Sequence, residues 1–252
     1  MLHKKNHYAP IPPLNVNDEI DNTEYINLTI LGSGGHAKTI LEILTTSGNY
    51  IAYHDNLKYA KNIYVLDDNK KRFGENIYGH IISGPIDMNI VFWNNNSKHM
   101  ICAIGDNNQR RIIVDRINNF YSIQPIKIKW ISFIGYNTTV ASTAKIGDGT
   151  VILNGCNVGP DVVIGKHCII NNGANVDHDC KIGNYVHIAP NATLCGNVEI
   201  GDGTLVGAGA VIIPGIKIGS NYLIKAKSLV KYNITNNYQY DLYINYNKYE
   251  VP

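Results

Sequence analysis

Between Ile134 and Val230 the apolar positions fall on every sixth residue: Ile134, Val140, Ile146, Ile152, Val158, Ile164, Ile170, Val176, Ile182, Ile188, Leu194, Ile200, Val206, Ile212, Ile218 and Ile224. A second set, two residues earlier in each repeat, is mostly small: Ala144, Thr150, Cys156, Cys168, Ala174, Cys180, Ala192, Thr204 and Ala210. Glycine often follows the aliphatic residue, as at Ile146-Gly147, Ile164-Gly165 and Ile182-Gly183. This period is neither that of a helix nor the alternation of one long strand. It predicts strands about one repeat long, joined by tight turns. The aliphatic and small positions both point inward, because strand side chains alternate, and glycine and polar residues fall at the turns. Three such strands close one triangular coil, and stacked coils bury one continuous core. The run is long enough for a little over five coils.

Upstream the pattern changes. Tyr25–Leu31 is rich in β-branched residues and predicts a strand; Gly32-Ser33-Gly34-Gly35 follows, then helical spacing over His36–Thr46. Further strands are expected at Asn62–Leu66, ending in Asp67-Asp68, at His99–Ile104, ending in Gly105-Asp106-Asn107, and at Pro125–Trp130, with a helix over Gln109–Asn119. Asn49–Lys61 reads as extra sequence in this sheet. Strands alternating with helices imply a small parallel α/β sheet, whose ligands sit at the carboxyl ends of strands. The three polar loops all lie at such ends. The expected division is a polar, proline-containing arm at 1–24, a Rossmann-like domain at 25–131, the solenoid at 132–230 and a Tyr-rich segment at 231–252.

Composition narrows the function. Net charge is +2 over 252 residues, too balanced for a nucleic-acid-binding field. No apolar run approaches membrane-spanning length, and residues 1–22 contain no signal-peptide core. Cys156, Cys168 and Cys180 occupy the small inward position, so packing is their expected role. An odd cysteine count without metal-type spacing implies reduced thiols and a cytoplasmic setting.

The chemistry-bearing residues lie on the solenoid. His178-Asp179 follows Val176 at a turn, and one full coil later comes Gly196. The register therefore stacks Gly196 on His178 at the strand spacing of about 4.8 Å. An imidazole beneath a glycine N–H is the pair that acyl transfer requires: the base takes a proton and the N–H stabilises oxygen charge. Asp179 would orient the ring. His187 is half a coil from His178 and belongs to a different edge. The two would share a site only between solenoids packed side by side, which points to a homotrimer.

The LGSGGHAKTILEIL start, the LDD strand end, the CAIGDNNQRR segment and the hexapeptide run resemble, in this order, the hexapeptide-repeat nucleotide-sugar acetyltransferases of bacterial glycan synthesis. Members include sialic acid O-acetyltransferases and N-acetyltransferases of UDP- or dTDP-4-amino-4,6-dideoxy sugars. The resemblance implies a left-handed β-helix binding acetyl-CoA and an N-terminal domain binding the nucleotide-sugar, with no metal. It carries over Gly32, Gly34, His36, Asp67 and Asp68 as nucleotide-sugar contacts, with Gly105, Asp106 and Asn107 lining the same cleft. His178 carries over as general base, Asp179 stands where the family often has Glu, and Asn171 and His187 are further site residues. Gly196, and the Gly207-Ala208-Gly209 turn expected one coil further on, match thioester and pantetheine contacts. The Gly-x-Pro-Ala-Lys segment near the CoA adenine is absent. An O-acetyltransferase is the runner-up reading. A zinc carbonic anhydrase on the same solenoid, with His167, His178 and His187 as ligands, and a non-catalytic scaffold are the other classes.

Overall fold

The protein is described here from a computed structural model over residues 24–46, 50–53, 56–86, 99–123 and 127–235. The expected arm at 1–24, except for residue 24, and the Tyr-rich segment beyond 235 lie outside the described residues. Within them no helix is long and apolar enough to cross a membrane.

The N-terminal half is an α/β sheet. In chain order it contains β1 (Glu24–Leu31), α1 (Gly35–Thr46), β2 (Tyr50–Tyr53), β3 (Asn56–Leu66), β4 (Asn76–Ile77), β5 (His80–Gly84), β6 (His99–Cys102), α2 (Asn107–Ser122) and β7 (Lys129–Trp130). The strand order is β4-β5-β3-β1-β6-β7. β5, β3, β1, β6 and β7 run parallel. Strand order reverses between β1 and β6, so the crevice at their carboxyl ends is the switch point of the sheet. Gly32–Gly35 and Ala103–Asn107 border that crevice.

The stretch expected to be extra sequence in the sheet forms the antiparallel pair of β2 with the first part of β3. The β4–β5 hairpin carries too few alternating positions to be legible beforehand. Helix α1 buries Ala37, Ile40, Leu41, Ile43 and Leu44, the face that its spacing predicts. Helix α2 starts two residues earlier than expected, because the Asp106 carboxylate accepts from Gln109 N at 2.8 Å and caps it.

The C-terminal half is a left-handed parallel β-helix. Its strands are two residues long and form three faces. Face one runs from Lys145–Ile146 to Lys217–Ile218, face two from Phe133–Ile134 to Leu223–Ile224, and face three from Thr139–Val140 to Leu229–Val230. Strands stack at intervals of 18 residues, as in Asn175↔Thr193. The repeat aliphatics from Val158 to Val230 are buried in one column with the small positions.

Two features of the repeat exceed its hydrophobic pattern. At each turn from residue 149 to 227 one residue per repeat has positive φ, including Asp161, His167, Asp179, Tyr185 and Asn197. This left-handed conformation turns the chain through each corner, and Gly, Asn and Asp adopt it at least cost. The small inward positions are also donors. Ser132, Thr150, Cys156, Cys168, Cys180 and Thr204 donate to the carbonyls of Gly147, Gly165, Asn171, Gly183, Cys195 and Gly219 respectively, in each case 15 residues on. They tie each coil to turn carbonyls of the next, some of which, such as Asn171 O, also accept a backbone N–H. The cysteines thus do more than pack. Burial pushes the thiols of Cys156, Cys168 and Cys180 up to about 11, 12 and 11, so they stay protonated donors at neutral pH.

The halves are joined on face two and its adjoining edge. Phe133, Val151 and Leu153 enter the core formed under β1 and α1. Arg110 on α2 is 1% exposed. Its guanidinium donates to the carbonyls of His167 (2.8 Å), Tyr185 (3.1 Å), Ile104 (2.9 Å) and Gly105 (3.1 Å), and to Asn107 Oδ1 (2.7 Å). One side chain thereby fastens the β6–α2 loop to two solenoid turns.

Candidate active site

The edge between faces three and one carries His178. Its turn, Asp177-His178-Asp179, is held by Asp179 in the left-handed region (φ 61°), and Asp179 N donates to Pro160 O at 3.0 Å. Asp179 Oδ2 lies 2.8 Å from His178 Nδ1. A proton on Nδ1 satisfies that contact and leaves Nε2 as a free acceptor. The hydrogen bond to Asp179, then the charge of Asp177, raises the His178 pKa above its ordinary value.

Gly196 sits directly over this ring. A Cβ built on it would meet His178 Cε1 and Nε2 at 2.5 Å, so only glycine fits above the imidazole. The coils continue in register, with Asn197 N donating to His178 O at 2.8 Å and Gly215 N to Gly196 O at 3.0 Å. The Gly196 N–H donates to no acceptor among the described residues. An exposed acceptor imidazole and the amide of the buried Gly196 thus share one edge.

Asn171 and His187 lie elsewhere on the same chain. His187 is on face two and Asn171 opens the turn between faces two and three. Asn171 Nδ2 is 3.0 Å from His187 Nε2. Burial, then the positive charge of Arg110, pushes the His187 pKa down to about 4, so the ring is neutral at physiological pH. Gly207 and Ala208 share this second edge, since Gly207 follows the face-two strand Leu205–Val206. That corrects the expectation that they continue the Gly196 column. The interval from Gly196 to Gly207 is eleven residues, short of a full coil. His187, Asn171, Gly207 and Ala208 are therefore grouped around one edge and His178, Asp179 and Gly196 around the other, with face three between.

In the N-terminal sheet, Gly32 needs its positive φ (101°), and a Cβ there would meet Ile104 Cγ1 at 2.9 Å. Gly34 is exposed, with nothing within 4 Å of an added Cβ. The acidic pair is engaged internally. Asp67 accepts from Ser33 N at 2.7 Å and Asn69 N at 2.8 Å, which shapes the glycine turn. Asp68 accepts from Ile86 N at 2.8 Å and Arg116 Nη2 at 3.0 Å. Asp106 caps α2, and Asn107 Nδ2 donates to Gly203 O at 2.9 Å across the joint. Only Gly105 of that loop keeps a place beside the glycine turn, 3.9 Å from His36 Cβ if a side chain were added. His36 Nε2 is buried without a hydrogen-bond partner. Burial, with Arg110 and His187 nearby, lowers its pKa to about 3. The glycine turn and His187 thus approach each other across the joint.

Residues 27–117 match the PglD N-terminal domain family, and 143–178, 161–196 and 179–214 match bacterial transferase hexapeptide repeats. No curated protein sequence matches the chain. Among solved structures, the acetyltransferase domain of PglB from Neisseria gonorrhoeae is 28% identical over 83% of this chain and 93% of its own, with TM-score 0.70. PerB from Caulobacter crescentus, solved with CoA and GDP-perosamine, is 26% identical over 83% and 91%, with TM-score 0.70. WeeI from Acinetobacter baumannii, at 20% identity and TM-score 0.59 over 82% and 97%, shares the fold. The chain belongs to the hexapeptide-repeat nucleotide-sugar acetyltransferase family.

Within this family frame, the sequence reading missed Arg110 and Arg72. Arg72 donates from Nη1 to Ser33 Oγ at 2.7 Å, so a cation stands against the glycine turn. With Lys38 and Tyr78 it lines a cavity of about 250 Å³. Arg110 stands in the CAIGDNNQRR segment and Arg72 in no motif, and only tertiary contact shows the place of either. The zinc alternative loses its geometry on a single chain. His167 is buried between Trp130 and Tyr185, ring centroids 4.8 and 5.3 Å away, whereas His178 is exposed on the far edge. Among the described residues no three His, Cys, Asp or Glu side chains converge on a metal position.

Proposed function

We propose that this acetyl-CoA-dependent sugar acetyltransferase is an N-acetyltransferase. Its substrate is a nucleotide-linked 4-amino-4,6-dideoxyhexose, and it works as a homotrimer with His178 as general base. The observation that carries the reading is the His178 ring held under the unpaired Gly196 amide, with Asp179 fixing its tautomer. The sugar amine attacks the thioester carbonyl carbon, with no acyl-enzyme required. His178 Nε2 takes the amine proton, the Gly196 N–H faces the oxygen that gains charge, and the CoA thiol leaves. Asp179 stabilises the imidazolium so formed.

The residues fit acetyl-CoA. The edge above Gly196 is open, with Pro214 and Gly215 exposed and nothing within 4 Å of a Cβ at Gly215. The N-terminal sheet supplies the nucleotide side through the open Gly34–Gly35 amides at the start of α1 and the Arg72–Lys38 cavity. A neighbouring copy that sets its His187 edge against the His178 edge would unite the two groups of residues and bring the neutral His187–Asn171 pair to the acceptor. PerB, solved with GDP-perosamine, supports an amino-sugar acceptor and adds GDP to the nucleotides worth testing beside UDP and dTDP.

The test is incubation with acetyl-CoA and UDP-, dTDP- and GDP-linked amino sugars, followed by mass detection of one added acetyl group. The product should resist hydroxylamine, as an amide does; a hydroxylamine-labile product would make the enzyme an O-acetyltransferase. His178→Ala should remain folded and trimeric and lose on the order of 10² to 10⁴ in turnover. Full activity in that variant would remove the base assignment.

A further inference from the structure

The His178 edge continues upward in register as far as Pro214 and Gly215; the turn above them is two residues shorter, since Ile218 bridges Ile234 at an interval of 16 in place of 18. Each face-three strand is followed by a turn: Asp177-His178-Asp179, Cys195-Gly196-Asn197, Ile213-Pro214-Gly215 and Lys231-Tyr232-Asn233. The last turn is pinned. Lys217 N donates to Asn233 Oδ1 at 2.9 Å, Ile234 N to Lys217 O at 2.8 Å, and Gly219 N to Ile234 O at 2.8 Å. Yet the Tyr232 side chain on that fixed backbone is 80% exposed, next to an exposed Lys231. An aromatic ring held in water at the end of an open edge has the attributes of a stacking platform.

The length of the edge identifies what reaches it. Three coil steps separate His178 from Tyr232, about 14 Å at the strand spacing. The pantetheine arm spans about 13 bonds from sulfur to the first phosphorus, roughly four extended residues or ~15 Å. A thioester at His178 and Gly196, with its arm laid along Pro214 and Gly215, brings its first phosphate level with Lys231 and Tyr232, and the pyrophosphate and ribose return the base to the ring. We infer that Tyr232 is the platform on which the adenosine end of acetyl-CoA stacks, at the place where the Gly-x-Pro-Ala-Lys segment is missing. This rests on the acetyl-CoA reading above. Base–aromatic stacking tolerates any base face, and a neighbouring lysine suits the attached phosphates.

The test compares CoA with pantetheine, which lacks the nucleotide, by calorimetric titration of the full-length chain without acceptor. Tyr232→Ala should weaken CoA roughly tenfold, within the range of one lost stacking contact, and leave pantetheine affinity unchanged. Tyr232→Phe should bind both as the unaltered protein does. Equal loss for both ligands, or no loss for CoA, would overturn the platform. So would dissociation of the oligomer in Tyr232→Ala, measured by light scattering, because the ring would then belong to a subunit contact. If the unaltered protein binds no CoA, the acetyl-CoA reading itself fails. That outcome differs from a protein that binds CoA with no dependence on Tyr232.

Discussion

At the residue scale the proposed site depends on one carboxylate, one ring and one glycine. Asp179 raises the His178 pKa, and the ring must be neutral to accept a proton. Activity should therefore rise with pH along a limb centred above the ordinary histidine value of about 6.5. Asp179→Asn removes the hydrogen-bonded charge, so that limb should move to lower pH while kcat falls. A pH–rate profile of kcat/KM checks both effects, and an unmoved limb would assign the titration to another group. At Gly196, a methyl group would occupy the space of His178 Cε1 and Nε2, 2.5 Å away. Gly196→Ala should displace the ring and lower kcat by on the order of 10². The cost to stability should be small, since the ring is exposed and can swing outward. A large drop in melting temperature would mean that the edge cannot relax. Both residues were legible beforehand, because the register of a solenoid is counted directly from its repeat.

At the scale of the element, the repeat shows which positions point inward but not which backbone groups they pair. Thr150 illustrates the difference. Its hydroxyl donates to Gly165 O at 2.7 Å and accepts from Cys168 N at 3.0 Å. Thr204 repeats this with Gly219 O and Tyr222 N. Thr150→Val keeps the shape and leaves both backbone groups unpaired, at about 1–3 kcal/mol each. Its urea midpoint should drop markedly, whereas Thr150→Ser should stay near the original. Equal midpoints for Val and Ser would show that water replaces the hydroxyl. The hydrophobic pattern could not supply this detail, because a threonine, a cysteine and an alanine fill the small position equally well. Likewise the sequence marks Asp67 and Asp68 as a polar strand end. Their internal partners, Ser33 and Arg116, are 34 and 48 residues away.

At the scale of the whole molecule the joint between the halves governs behaviour in acid. Burial lowers the pKa of His36, His167 and His187 to about 3, 4 and 4. In the unfolded chain such groups titrate near 6.5. Below that value the unfolded chain binds protons that the native joint refuses, so stability is complete above about pH 6.5 and declines toward about pH 4. The buried His167 alone contributes about 1.4 kcal/mol per pH unit in that window. His178 acts in the opposite sense, but it is exposed and screened by solvent. The thermal midpoint should fall clearly between pH 7 and pH 5. A flat profile would mean that the joint opens to water and lets these rings charge.

The repeat by itself determined the solenoid, its coil length, its core and the stacking of Gly196 on His178, because each is a local consequence of a fixed period. The alternation of strands and helices likewise determined a parallel sheet with its loops at one end. Tertiary structure alone decided that Arg110 locks the β6–α2 loop onto two solenoid turns. It also decided that Asp68 and Asn107 are held by protein partners, and that Gly207 and Ala208 belong to the opposite edge from Gly196. Those facts depend on how two independently legible halves dock, and the docking surface carries no period from which its contacts could be counted.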